Sequence, residues 1–228
     1  MSASQPSLFD LFAKPSGEQI NLADSPSRQG LISKNHDDLV AMAKACTKCP
    51  LCKTRTEVVV FDGNSQAKLM LIGEGPGEQE DLSGLPFVGK AGQMLDKILD
   101  AVKIDRKNDT YICNIVKCRP PANRVPTPQE MEACIPYIED QIRLVGPKII
   151  LLLGATAVTG ILKLKSPRIT ALHGKWIEGS GDLLRERKIM PFYHPSYLLR
   201  NQSREEGSPK WQAWQAAKEV KAYLDSLA

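Results

Sequence analysis

The stretch Leu69-Met70-Leu71-Ile72-Gly73-Glu74-Gly75-Pro76-Gly77-Glu78 decides the fold. Four apolar residues in a row, too few for a helix, read as a strand buried on both faces. The glycines behind them stop the strand. They also place backbone and carboxylates at the carboxyl edge of a sheet, where open α/β folds bind their ligands.

Working outward, residues 68–72, 110–116, 148–153 and 189–193 read as short buried strands. Residues 37–45, 91–102, 127–145, 155–162 and 211–226 carry apolar side chains at helical spacing. Thr127-Pro128-Gln129-Glu130 marks a helix start, with a capping hydroxyl, a proline at the first helical position and a carboxylate two residues beyond it. Strands alternating with helices predict a parallel sheet covered on both faces, an α/β architecture. Residues 1–33, rich in Ser, Pro, Gln and Gly, read as a mobile tail, and residues 34–228 as one domain. No internal repeat interrupts this pattern.

A chain of 228 residues with 42% apolar content can bury one substantial core. No apolar run approaches the roughly 20 residues that span a bilayer. Met1-Ser2-Ala3-Ser4-Gln5 lacks the basic flank and apolar centre of a secretory signal, so a cytoplasmic location without membrane contact is expected. The net charge of +4 is weak support for a polyanionic partner. Its distribution says more: Lys117, Arg119 and Arg124 share one loop region, and Lys188, Arg200 and Arg204 flank His194.

Six cysteines in such a compartment are not expected to pair as disulfides. Cys46-x-x-Cys49 has the spacing that clamps a metal or a cluster, and Cys52 follows it. Cys118 and Cys134 lie in polar surroundings, whereas Cys113 reads as a buried strand thiol. Spacing alone leaves zinc and an iron–sulfur cluster both open.

Some familiar chemistries are excluded. Gly73-x-Gly75-x-Gly77 lacks the last glycine of a dinucleotide fingerprint, since Glu78 would repel a pyrophosphate. Gly84-Leu85-Pro86-Phe87-Val88-Gly89-Lys90 resembles a P-loop, but Ala91 replaces the hydroxyl that would hold magnesium. No Gly-x-Ser-x-Gly elbow supplies a hydrolase nucleophile.

The segments 73–80, 84–89, Asn114-Ile115-Val116-Lys117-Cys118-Arg119-Pro120-Pro121 and His194-Pro195-Ser196-Tyr197-Leu198-Leu199-Arg200 occur in fixed order. Together they resemble the family-four, iron–sulfur uracil-DNA glycosylases. The resemblance covers about residues 39–224. It implies a three-layer α/β/α sandwich around a four-stranded parallel sheet. It also implies a [4Fe-4S] cluster held by Cys46, Cys49, Cys118 and Cys134, beside which Cys52 reads either as an impostor for one ligand or as a free thiol. The implied substrate is uracil-containing DNA, in base excision repair, and a monomer is expected.

That resemblance assigns roles. Asn114 reads the edge of a flipped-out uracil, Phe87 stacks on it, and Gly75 lets backbone approach it. His194 donates to uracil O2 as negative charge gathers there. Related enzymes carry an aspartate where Gly75 stands. Glu74 is therefore the first candidate to position the attacking water and Glu80 the second, or else a pocket residue that excludes thymine. Leu198 or Leu199 would fill the gap left in the DNA, and Arg200 would hold phosphate. A sister branch that traps its product through a histidine in a basic loop has no counterpart at residues 117–127, so turnover is expected. His173 stands where many members carry arginine.

In the tail, Gln5-Pro6-Ser7-Leu8-Phe9 resembles the short peptide with which repair proteins grip the replication sliding clamp. A non-catalytic nucleic-acid-binding module and an electron-transfer protein are the competing readings. Asn114 and His194 argue against the first, and the glycine-rich pocket against the second.

Overall fold

The computed structural model describes residues 33–227; the tail segment from Gln5 to Phe9 lies outside the described residues. A six-stranded sheet runs in the order β1-β3-β2-β4-β6-β5. Its centre is parallel: β3 (Thr110–Asn114), β2 (Leu69–Gly73), β4 (Ile149–Leu153) and β6 (Lys188–Phe192). These are the four strands expected from the apolar runs. Two-residue strands, β1 (Asp62–Gly63) and β5 (Ile177–Glu178), pair antiparallel at the two edges. The sheet therefore has six strands rather than four, because a two-residue edge strand is too short to leave a period in the sequence.

Side chains alternate across the parallel strands and split the core in two. Met70, Ile72, Tyr111, Ile150 and Leu152 pack on one face. They meet α1 (His36–Lys44), α4 (Pro128–Val145) and α5 (Ala155–Leu162) through Leu39, Ile138, Ile142 and Val158. Leu69, Leu71, Ile112, Ile149 and Leu151 pack on the other. They meet α3 (Lys90–Ala101) and α9 (Pro209–Asp225) through Leu95, Leu99, Ala213 and Val220. The result is the expected three-layer sandwich.

Helix ends follow local chemistry. Thr127 Oγ1 accepts the N–H of Glu130, and the Glu130 carboxylate accepts the N–H of Thr127, at 3.2 and 2.8 Å. Gly146, with φ of 61°, ends the same helix in the left-handed conformation. Among the described residues, the loops also carry the short α-helices α2 (Glu78–Ser83), α6 (Ile169–Leu172), α7 (Gly181–Leu184) and α8 (Pro195–Arg200). Among the described residues, no helix is long and apolar enough to cross a membrane.

Candidate active site and cysteine centre

Four adjacent strands deliver their carboxyl ends side by side. In sheet order these ends carry Asn114, Gly73 with Glu74, Gly154, and, two residues past β6, His194. Gly73 pairs with Asn114 in register. The ladder continues beyond the strands, Ile115 N–H donating to Gly73 O at 2.9 Å and Val116 N–H to Glu74 O at 3.1 Å.

Asn114 is 2% exposed, and its Oδ1 is buried without a hydrogen-bond partner. Burying an unpaired carbonyl costs about 1–3 kcal/mol, which favours a ligand that donates to it. A Cβ on Gly73 would lie 2.4 Å from Asn114 Oδ1 and 2.5 Å from Phe87 Cζ. Amide and aromatic edge thus converge over the one residue that cannot fill the space. Gly75 is similarly restricted, because a Cβ there would lie 2.7 Å from Val116 Cγ2.

Phe87 holds φ at 54°, strained for a residue with a side chain. The loop is pinned from several sides. Glu80 Oε1 accepts the N–H groups of Val88 and Gly89 at 2.9 and 2.7 Å, and its Oε2 accepts that of Gly77 at 3.1 Å. Arg106 Nη2 donates to Pro86 O at 2.7 Å. Gly92 gives room, since a Cβ there would strike Phe87 O. Both oxygens of Glu80 are therefore engaged by backbone. Glu80, the second candidate for positioning water, thus holds the backbone that shapes the Phe87 loop.

His194 caps α8. Its Nδ1 accepts the N–H of Ser196 at 3.2 Å, with the Ser196 hydroxyl 2.8 Å away. Burial first, and Arg200 second, lower its pKa to about 4, against a smaller opposing effect of Glu80. The ring is thus neutral near pH 7 and carries its proton on Nε2. The Phe87 and His194 ring centroids are 5.9 Å apart. The other histidines are committed elsewhere: His36 Nε2 lies 3.0 Å from Tyr111 OH, and His173 stacks on Tyr193 and accepts its N–H.

Glu74 leaves β2 with its Oε2 accepting from Thr156 Oγ1, on the first turn of α5. Arg200 is exposed. Leu198 is 1% exposed and packs in the core with α3 and α9. Leu199 stays half-buried. The basic loop is also less open than its sequence suggests. Lys117 is 2% exposed, Arg124 pairs with Glu130 at 2.7 Å, and Arg119 lies 3.6 Å from Glu78.

On the α1–α4 side, Cys46, Cys49, Cys52, Cys118 and Cys134 line one cavity with Arg55, Lys117 and Tyr137. Arg55 Nη1 donates to Cys118 Sγ at 3.3 Å and to Cys46 O at 2.8 Å. Burial pushes the Cys134 thiol up to about 12, against the opposing charge of Lys117, and raises Cys49 and Cys118 as well. Such thiols become thiolates only beside strong positive charge. Among the described residues, no three His, Cys, Asp or Glu side chains converge on a point that could hold a single metal ion. Thiolates around an iron–sulfur cluster each bind a different iron and stand further apart than the ligands of one zinc. The cavity thus gathers several thiols of the kind that a cluster takes as ligands.

Sequence reasoning missed Thr156, Arg55 and the buried set in which Lys117 Nζ donates to Asn114 O at 2.7 Å and to Gln141 Oε1 at 2.6 Å. Only Thr156 carried a signal, its place two residues after a strand-ending glycine.

Residues 60–218 match the family model of the uracil DNA glycosylase superfamily. The chain is 49% identical over 162 residues to a type-4 uracil-DNA glycosylase of Thermotoga maritima, covering 71% of this chain and 82% of the relative. It is 40% identical over 176 residues to the type-4 enzyme of Archaeoglobus fulgidus, covering 75% and 86%. With the enzyme of Saccharolobus solfataricus it shares 40% identity over 170 residues, covering 72% and 77%. The chain therefore belongs to the type-4 branch of the uracil DNA glycosylase superfamily.

Proposed function

We propose that the protein is a monofunctional uracil-DNA glycosylase of base excision repair. It flips a uracil nucleotide out of DNA, hydrolyses the bond between uracil N1 and sugar C1′, and leaves an abasic site. The observation that carries this reading is the unpartnered Asn114 Oδ1 converging with Phe87 over Gly73, at the same sheet edge as a neutral, Nε2-protonated His194.

Asn114 accepts from uracil N3–H through Oδ1 and donates to O4 through its amide. Cytosine offers a bare N3 and an amino group there, so both contacts fail. A good bidentate pair discriminates by about 1–3 kcal/mol. Phe87 stacks on the base, a contact worth about 1–3 kcal/mol. As the C1′–N1 bond breaks, its electron pair leaves with uracil, and His194 Nε2–H donates to the charge gathering on O2. Water oxygen then bonds to C1′ and its proton passes to Glu74, whose backbone is fixed against Val116. Lys117 cannot act as a strand-cleaving amine, because it is buried and donates to two acceptors.

Cys46, Cys49, Cys118 and Cys134 would hold the [4Fe-4S] cluster, whose contribution is to tie α1 and α4 to the segment that follows Asn114. Arg200 is free to hold phosphate, and Leu199 is the leucine available to fill the gap in the DNA. A monomer, a cytoplasmic location and clamp docking through the segment from Gln5 to Phe9 complete the proposal and rest on the sequence.

Incubation with a uracil-containing oligonucleotide followed by alkali tests the reading. Cleavage at uracil, none at cytosine or thymine, and none before alkali are expected. Strands that remain intact after alkali would refute it.

A further inference from the structure

Glu74 is the site carboxylate whose charge is not engaged by backbone N–H groups, whereas both oxygens of Glu80 are. A glutamate has three side-chain torsions, and a catalytic carboxylate that wanders loses the benefit of being near. The Glu74 backbone is tied toward β3 by Val116 N–H. Its side chain is tied the other way, toward β4, by the hydroxyl of Thr156. From this geometry we infer that Thr156 is a positioning residue, which holds Glu74 Oε2 so that Oε1 addresses the attacking water.

Thr156 suits the role for reasons visible in the fold. It is the second residue of α5, whose flanking Gly154 has φ of 92°. That conformation lets β4 turn directly into the helix, and a Cβ on Gly154 would lie 3.1 Å from His194 Cβ. Thr156 therefore stands between the strand end carrying Glu74 and the strand end followed by His194. The next residues, Ala157 and Val158, are fully buried, so the first turn of α5 is anchored in the core. Branching at Cβ further restricts the Thr156 hydroxyl, which adds stiffness that serine lacks in part. A hydroxyl can also donate to a carboxylate without adding a charge that would oppose the cationic sugar. An arginine or lysine in this place would oppose it.

The inference rests on Glu74 as the water-directing group, and the test separates the two. Uracil release is measured in single turnover, with enzyme in excess over a uracil-containing duplex. DNA affinity and melting temperature are recorded for every variant. Thr156→Val should slow release roughly 10–100-fold with affinity and melting temperature unchanged. Thr156→Ser should restore most of the rate. Thr156→Val combined with Glu74→Gln should be no slower than Glu74→Gln alone, because both remove one function.

If Thr156→Val releases uracil at the wild-type rate while Glu74→Gln is slow, the inference fails and the role of Glu74 stands. Wild-type release by Glu74→Gln would remove the role of Glu74 and the inference with it. A double variant slowed by the product of the single effects would show that Thr156 acts apart from Glu74, which also overturns the inference. Should Thr156→Val lower the melting temperature, Thr156→Ala is judged by the same rate and by the same double variant.

Discussion

Ser196 donates its backbone N–H to Nδ1 of His194 at 3.2 Å. An accepting nitrogen cannot carry the proton, so the proton of the neutral ring sits on Nε2, the atom the proposed chemistry needs. Nitrogen-resolved NMR of His194 should show the neutral Nε2–H tautomer from pH 8 down to about 5, with protonation near its lowered pKa of about 4. The folded-state pKa lies below the ordinary 6.5, so the unfolded chain takes up this proton first. His194 therefore lowers stability as pH falls from about 6.5 to about 4. A doubly protonated ring at pH 6 would contradict the assignment.

Glu130 works in the opposite sense. The Arg124 guanidinium beside it holds its pKa near 2, below the ordinary 4.5, and the Thr127 N–H contributes. The stabilisation is complete above pH 4.5 and is lost as pH falls through about 2. Glu130→Gln should cost about 1–3 kcal/mol in urea unfolding at pH 7. The gap between variant and wild type should close toward pH 2.

Purified protein should be brown and contain iron in preference to zinc. Replacing Cys46, Cys49, Cys118 or Cys134 by Ser should remove iron and lower the melting temperature together, because ligation free energy is folding free energy. Cys113→Ser should retain iron, since that thiol lies in β3 inside the core. Metal analysis and calorimetry on the same samples check this. A colourless zinc protein would overturn the cluster assignment.

Leu198 and Leu199 should separate cleanly. Leu198→Ala removes a side chain that is 1% exposed and should cost about 2–5 kcal/mol of stability. Leu199→Ala should leave melting nearly unchanged and slow uracil release from duplex more than from single strands. Equal behaviour of the two variants on duplex and single-stranded DNA would rule out Leu199 as the wedge.

The parallel centre of the sheet was legible because Leu69-Met70-Leu71-Ile72 and its counterparts are unbroken apolar runs with glycine or polar stops. The start of α4 was legible because a capping box is a local pattern. The edge strands β1 and β5 were not, since two residues have no period. At the site, residue types suggested candidate roles but could not show the contacts. Glu80 looks like any acid near a pocket until the N–H groups of Gly77, Val88 and Gly89 are seen to point at it. Leu198 and Leu199 are equivalent in sequence, and only the phase of α8 buries the first. Lys117 reads as part of a basic surface, yet it lies under Asn114 because Gln141, 24 residues away, supplies its acceptor.

In the proposed reaction His194 stabilises the departing uracil and does little to bind DNA. Single-turnover release by His194→Ala, measured beside its affinity for a uracil-containing duplex, tests it most directly. The rate is expected to fall by on the order of 10²–10³-fold with affinity nearly unchanged. Release at the wild-type rate, or a loss that follows weaker DNA binding alone, would contradict it.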